Sequence, residues 1–307
     1  MMQGNSPTRN TRMPGEPRHL VWISDMPLDT LLHSATWLDT TRELTDLGWK
    51  VSLISPGFKG SRTIRGVMVH GLKRPERFLL RQIVYQYRII LAILARKQEI
   101  DIVLFNELPA LSLLSLKVVL RMFGRHRPLF ILDTRSLQMP PTEKMHLKDH
   151  LKSVFLNLVH ACGNIAADGR TAITPRMAES LNIPHDKLLG TWPSGVDLEL
   201  FSPPPTQTKS DTGGLTIRIV YTGSMHYERN LMAFCRAVVE AHERGMDFSL
   251  VLVGDGEEFD DLKRFSDTTS GIVSVSPPIP HEQIPNLLHG SHLGALPFPD
   301  EKKFRVS

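Results

Sequence analysis

Two glycine-containing turns hold the residues best suited to chemistry in this chain. The first, Tyr221-Thr222-Gly223-Ser224-Met225, follows an apolar run and leads to Glu228-Arg229-Asn230. The second, Gly254-Asp255-Gly256-Glu257, closes another apolar run. Strand-to-helix turns of this kind leave backbone N–H groups and a helix N-terminus open to an anionic phosphate. Arg229 stands where a guanidinium adds a bidentate cation to that field. Plainer alternatives stay open: Arg229 as a solvated first-turn residue, Gly223 as a close-packing glycine, Gly254 and Gly256 as an ordinary turn, Asp255 as a helix cap. The lone G-x-G lacks the third glycine of a dinucleotide fingerprint, which disfavours a dehydrogenase.

These turns need a parallel α/β framework, and the sequence pattern supplies one. After residue 216 the periodicity predicts strands over 217–221, 248–253, 272–275 and 293–296, with helices entering near 228 and over 257–265 and 282–289. The first half reads as strands over 19–23, 50–54, 67–71, 100–105, 129–132, 171–174 and 188–191. Between them fall helices over 34–47, 77–97, 110–123, 148–161 and 175–181. Such alternation predicts parallel sheets with helices on both faces, hence an α/β fold of two doubly wound, Rossmann-like domains facing a cleft. The predicted domains are 18–203 and 215–307, joined by a Pro/Thr/Ser/Gly-rich linker over 204–214 and preceded by a disordered tail over 1–17.

Composition bounds the function. At 41% hydrophobic and 22% charged the chain can bury sizeable cores, and no apolar run is long enough for a membrane span. The N-terminus lacks the apolar segment of a secretory signal. Cys162 and Cys235 stand far apart, without metal-ligand spacing, which predicts a reducing compartment and a cytoplasmic protein. Residues 1–203 carry 26 Lys+Arg against 18 Asp+Glu, whereas residues 204–307 carry 10 against 14. A basic first half suits an anionic acceptor or an anionic membrane face, with basic amphipathic stretches over 77–97 and 113–127 as the candidates for peripheral contact; solvated surface and core packing are the bland counterparts. No nucleic-acid partner is expected.

Several segments, taken together, resemble the family 4 retaining glycosyltransferases of the GT-B fold. Trp192-Pro193-Ser194-Gly195-Val196-Asp197 through Phe201-Ser202-Pro203 is similar to the segment that closes that family's first domain. Tyr221-Thr222-Gly223 to Arg229-Asn230 resembles its diphosphate loop, and 251–257 its second glycine turn. Ile279-Pro280-His281-Glu282-Gln283-Ile284-Pro285 and then 293–297 follow in the family's order. Ser224 and Ser194 depart from the family's Arg and Asn. Its Glu-x7-Glu motif falls beyond Ser307, so the resemblance implies an incomplete second domain.

The resemblance implies transfer of a sugar from a nucleotide-sugar donor to a glycan, lipid-linked or polysaccharide acceptor. Donor contacts are expected from Gly223, Ser224, Arg229, Asn230, Gly254, Asp255, Gly256, Pro278 and Ile279, with Arg229 as the catalytic cation; the Gly223 and Ser224 amides, the helix N-terminus after Asn230 and the Arg229 guanidinium follow from the chemistry of a leaving diphosphate itself. Breaking a sugar–diphosphate bond develops negative charge on the leaving phosphate, which is the physical reason for a fixed cation there. No Asp-x-Asp pair is present, so neither metal nor cofactor is expected. Asn106-Glu107 and Asp133-Thr134-Arg135, at carboxyl ends of first-domain strands, are the acceptor-side candidates, with caps or salt bridges as the alternative. A non-catalytic, sugar-nucleotide-binding remnant and a GT-B epimerase or phosphorylase stay open.

Overall fold

A computed structural model describes residues 17–28, 34–123, 127–135, 147–203 and 216–305. The expected tail up to residue 16, the expected linker over 204–214 and the chain's last two residues lie outside them. In chain order the elements are β1 (His19–Ile23), α1 (Ala35–Asp46), β2 (Lys50–Pro56), β3 (Gly60–Ile64), β4 (Val67–Leu72), α2 (Phe78–Ala95), β5 (Ile102–Phe105) and α3 (Ala110–Phe123). Next come β6 (Leu129–Thr134), α4 (Leu147–Ala166), β7 (Gly169–Ala172), α5 (Pro175–Ser180) and β8 (Leu188–Thr191). The remainder is β9 (Ile217–Ser224), α6 (Leu231–Glu243), β10 (Phe248–Asp255), α7 (Phe259–Asp267), β11 (Val273–Ser276), α8 (Ile284–His289), β12 (Leu293–Gly294) and α9 (Lys302–Arg305). The described residues divide into two compact units, one drawn from 17–28 and 40–193, the other from 34–39 and 194–305.

The first unit's sheet has the order β3-β4-β2-β1-β5-β6-β7-β8. Every β1 residue is buried, as a central strand of a doubly covered sheet requires. Val21, Ile23, Val103, Phe105, Phe130 and Leu132 turn to one face, against a layer made by α2, α3 and α4. Leu20, Trp22, Leu104 and Ile131 turn to the other and, with Thr40 and Leu44 of α1, line an apolar cavity of about 250 Å³.

The expectation of a purely parallel sheet is corrected at its edge. β3 runs antiparallel to β4, with Ile64 opposite Val67. The two residues between them, Arg65 and Gly66, both have positive φ, the geometry that lets a two-residue hairpin follow the twist of its strands. β7 also ends earlier than the pattern predicts, at Ala172, because Thr174 leaves the strand to cap α5. Its hydroxyl accepts from the Met177 N–H at 3.1 Å, with Pro175 in the first turn.

The second unit's sheet is parallel, in the order β11-β10-β9-β12. Ile219, Tyr221, Leu250, Leu252, Val273 and Val275 form its core with Leu231, Cys235 and Val238 of α6 and Leu262 of α7. No described helix is long and apolar enough to cross a membrane.

Candidate functional site

In an open α/β sheet the ligand crevice lies where the strand order reverses, outside the carboxyl ends of the strands. In the second unit that point falls between β9 and β12. A cavity of about 300 Å³ opens there, lined by Tyr221, Thr222, Gly223, Ser224, Arg229, Leu296 and Phe298. The topology thus brings together three of the candidate residues, Gly223, Ser224 and Arg229.

Arg229 does not open a helix, as the sequence pattern predicts. It ends a short 3₁₀ turn, Tyr227–Arg229, after which Asn230 takes the left-handed conformation (φ 59°, ψ 30°) and α6 begins at Leu231. Asparagine tolerates that conformation better than most residues. The break aims Arg229 back over the strand ends: its guanidinium lies 4.6 Å from the Phe298 ring centroid and 5.5 Å from that of Phe304. The two rings stack at 4.7 Å and 24°. The Arg229 Nε is buried with no hydrogen-bond partner in the protein, so the stem of the guanidinium is packed in place against the aromatic pair.

The first turn of α6 differs from the expected open anion site. Glu258, almost wholly buried, reaches it: a backbone hydrogen bond from Met232 favours its carboxylate, while burial, the larger effect, pushes its pKa up. Its Oε2 has no hydrogen-bond partner in the protein.

Gly254 and Gly256 have a packing reason. A Cβ at 254 would collide with the Gly223 carbonyl, and one at 256 with the Met225 carbonyl. The two turns are also laced together, Met225 N–H to Asp255 carbonyl at 2.8 Å and Glu258 N–H to Met225 carbonyl at 3.0 Å. Asp255 is not the α7 cap, which falls at Glu258; its Oδ1 accepts from the adjacent Gly256 N–H at 2.8 Å. Pro278 and Ile279 line a second cavity of about 280 Å³ with Thr222, Gly223, Gly254 and His281. The Phe201 and His281 rings meet on its wall at 5.2 Å.

In the first unit the strand order reverses between β1 and β5, and Asn106 and Glu107 follow β5 at that point. Asn106 Oδ1 and Glu107 Oε1 are both buried without a hydrogen-bond partner in the protein. Burial first, then Asp25 and Asp133, push the Glu107 pKa up to about 7 against hydrogen bonds from its own backbone and Thr134. Asp133 is differently placed. It accepts from Thr171 Oγ1 at 2.6 Å and Trp192 Nε1 at 3.2 Å and faces Arg135 at 3.7 Å, yet burial outweighs these and raises its pKa. Arg135 lies over the Trp192 ring at 4.4 Å.

Sequence reasoning missed the residue on which this group rests. Arg170 of β7 is fully buried and donates to Thr134 Oγ1 at 3.1 Å, to Asn164 Oδ1 and to the His160 carbonyl at 3.4 Å. Burial lowers its pKa to about 10, with Glu107 and Asp133 opposing. His160 is driven to about 4 by burial and then by Arg170. Among the described residues no three His, Cys, Asp or Glu side chains converge as a metal site would require.

No protein-family model matches the sequence, and no curated protein matches it. Solved structures do. Sucrose-phosphate synthase from Thermosynechococcus elongatus is similar over 92% of this chain and 75% of its own, with a TM-score of 0.66 at 13% identity. The catalytic domain of starch synthase IV from Arabidopsis thaliana, bound to ADP and acarbose, is similar over 92% of this chain and 78% of its own, with a TM-score of 0.66 at 12% identity. Anabaena HepE in complex with UDP-glucose is similar over 91% and 73%, with a TM-score of 0.60 at 11% identity. The fold is therefore that of the GT-B glycosyltransferases. At such identities the likeness carries the fold, and the activity has to be argued from the site.

Proposed function

We propose that the protein is a glycosyltransferase that moves a sugar from a nucleotide-diphosphate donor to a glycan, polysaccharide or lipid-linked acceptor with retention of anomeric configuration. The carrying observation is the β9/β12 switch-point cavity, which Arg229, packed against Phe298, lines together with Gly223 and Ser224 of the glycine turn. Retention rests on the likeness of Tyr221-Thr222-Gly223 to Arg229-Asn230 to the diphosphate loop of the retaining family.

In the proposed reaction the bond from the anomeric carbon to the diphosphate oxygen breaks and one from that carbon to the acceptor oxygen forms. The acceptor's proton leaves with the nucleoside diphosphate. Arg229 stabilises the negative charge that grows on the leaving phosphate, with Gly223 and Ser224 alongside it. Phe298 and Phe304 hold the guanidinium where that charge appears, so little ordering remains to be done in the transition state. Arg229 thereby takes the part a divalent metal plays at other diphosphate sites, and no cofactor is proposed. Asn230 sets the backbone break that aims it, and Gly254, Asp255 and Gly256 keep the second turn pressed against the first.

The cavity beside Pro278 and Ile279 is assigned to the nucleotide base. The unpartnered oxygens of Asn106 and Glu107 are assigned to acceptor hydroxyls, because a buried acceptor atom without a donor is costly until a ligand supplies one. Asp133 and Arg135, engaged with Thr171 and Trp192, are assigned to shaping that site. Two free cysteines, Cys162 and Cys235, suit the cytoplasm.

The test is a panel of nucleotide sugars, read by calorimetric binding and by release of nucleoside diphosphate alongside the mass of glycosylated acceptor. Binding and acceptor-dependent release are expected, both weakened in Arg229→Ala. Conversion of the donor sugar without acceptor would point to an epimerase, and a requirement for inorganic phosphate to a phosphorylase. Absence of binding to any nucleotide sugar would sink the reading.

A further inference from the structure

The layer formed by α2, α3 and α4 is apolar on both sides. On α2, Tyr85, Ile89 and Ile93 face the sheet, as a surface helix requires. Yet Leu80, Ile83, Tyr87, Leu91 and Leu94 repeat at intervals of three and four on the outer side, Ile83 being 66% exposed. α4 repeats the arrangement, with Val159 inward and Leu151, Val154, Leu158 and Ile165 outward. α3 lies between these two helices and adds Val118 and Met122 to the same exposed side. Single exposed apolar residues need no explanation, but three adjacent helices each carrying an outward stripe form a patch that marks an interaction surface.

The charges around the patch say what covers it. No Asp or Glu occurs between Glu76 and Glu99, where Arg77, Arg81, Arg88, Arg96 and Lys97 stand. None occurs between Glu107 and Asp133, which spans α3. α4 carries a single acid, Asp149. A second copy of the chain docked by two-fold symmetry would set this arginine-flanked face against itself, without carboxylates on α2 or α3 to offset the repulsion. An anionic lipid surface supplies the missing negative charge and an apolar phase together. Outward Tyr87, an apolar ring with a polar tip, suits the boundary between them.

We propose that the outer face of α2, α3 and α4 is a peripheral membrane-binding surface. It lies in the plane of an anionic bilayer with its apolar stripes in the headgroup–acyl boundary and the arginines of α2 on the phosphates. This surface is independent of the glycosyl-transfer reading, since none of its residues belongs to either candidate site.

Flotation of the full chain with vesicles of phosphatidylcholine, alone or mixed with phosphatidylglycerol, tests the proposal. Binding is expected to the mixed vesicles and to fall as salt rises, as screening requires. Ile83→Glu with Leu91→Glu on α2, and separately Leu158→Glu with Ile165→Glu on α4, are each expected to lose at least about tenfold in binding, with circular dichroism and thermal midpoint preserved. Having two independent stripes keeps the test decisive if one pair fails to fold. Arg77→Gln and Arg88→Gln are each expected to weaken binding about fivefold. Equal binding to neutral vesicles, or full binding by a folded glutamate variant, would overturn the proposal. So would a dimer in analytical ultracentrifugation that the glutamates dissolve while the parent ignores vesicles.

Discussion

The guanidinium of Arg229 lies 4.6 Å from the centroid of the Phe298 ring, so the cation assigned to the donor diphosphate is held by an aromatic face rather than by a carboxylate. A carboxylate partner would offset the charge before a phosphate arrived; a ring quadrupole positions it and leaves most of its field available. Arg229→Ala is therefore expected to cost about 2–4 kcal/mol of transition-state stabilisation, roughly a thirtyfold to thousandfold fall in kcat/KM. Arg229→Lys keeps the charge but not the planar fork and should fall between. Steady-state kinetics with the donor identified by calorimetry reads both, and an unchanged kcat/KM in Arg229→Ala would remove the assignment.

Phe298→Leu separates positioning from charge. It retains apolar bulk but loses the ring face, so donor affinity is expected to fall by about 0.5–1 kcal/mol, two- to fivefold. The fold is expected to hold, because Phe298 lies outside the apolar cluster of the second unit. Titration calorimetry gives the affinity and thermal unfolding the control.

The pressed turns make a stability prediction. The obstacle to a Cβ at Gly254 is the Gly223 carbonyl, which is backbone and cannot swing aside. Gly254→Ala is expected to destabilise by about 1–3 kcal/mol or more, as overpacking does, and to lower donor binding with it. Gly195→Ala, where nothing lies within 4 Å of a Cβ, should stay within about 0.5 kcal/mol of the parent. Denaturant unfolding followed in parallel for the two variants reads the difference.

What the sequence made legible follows from what each element buries. β9 and β10 are apolar runs ended by glycine turns, so their type, order and the candidate residues at their ends could be read directly. β3 was not legible, because Gly60–Ile64 is almost wholly exposed and shows no apolar alternation. Its one signal was the Arg65-Gly66 pair. The helix after Arg229 begins later than the periodicity predicts, since periodicity does not register a left-handed residue such as Asn230. Phe298 and Phe304 come from a segment with little regular structure and meet Arg229 only through the tertiary fold. Arg170 was hidden for a related reason: it stands just before the predicted strand over 171–174, where an arginine ordinarily stays in solvent, and only the packing shows it enclosed.

Arg170 invites a direct test of that enclosure. Its donors serve Thr134, Asn164 and the His160 carbonyl, and its charge faces Glu107 and Asp133. Arg170→Ala leaves those groups unserved in a buried site and is expected to destabilise by about 3–5 kcal/mol. Urea unfolding should show a much smaller loss for Arg121→Ala, whose side chain is half exposed where it pairs with Asp168.

Glu107 couples this cluster to pH. Its folded-state pKa, about 7, stands above the ordinary 4.5, with burial as the first cause. Between those values the folded chain binds a proton that the unfolded chain releases, so the slope of stability against pH is negative. The contribution of protonated Glu107 is fully present below about pH 4.5 and is lost as pH rises through about 7. Glu107→Gln keeps the shape and removes the titration. It is therefore expected to match the parent near pH 4.5 and to exceed it above pH 7, by up to about 3 kcal/mol from a shift of this size. Urea midpoints of both proteins across that range read the effect, and parallel curves would show that the Glu107 carboxyl is not held neutral by its burial.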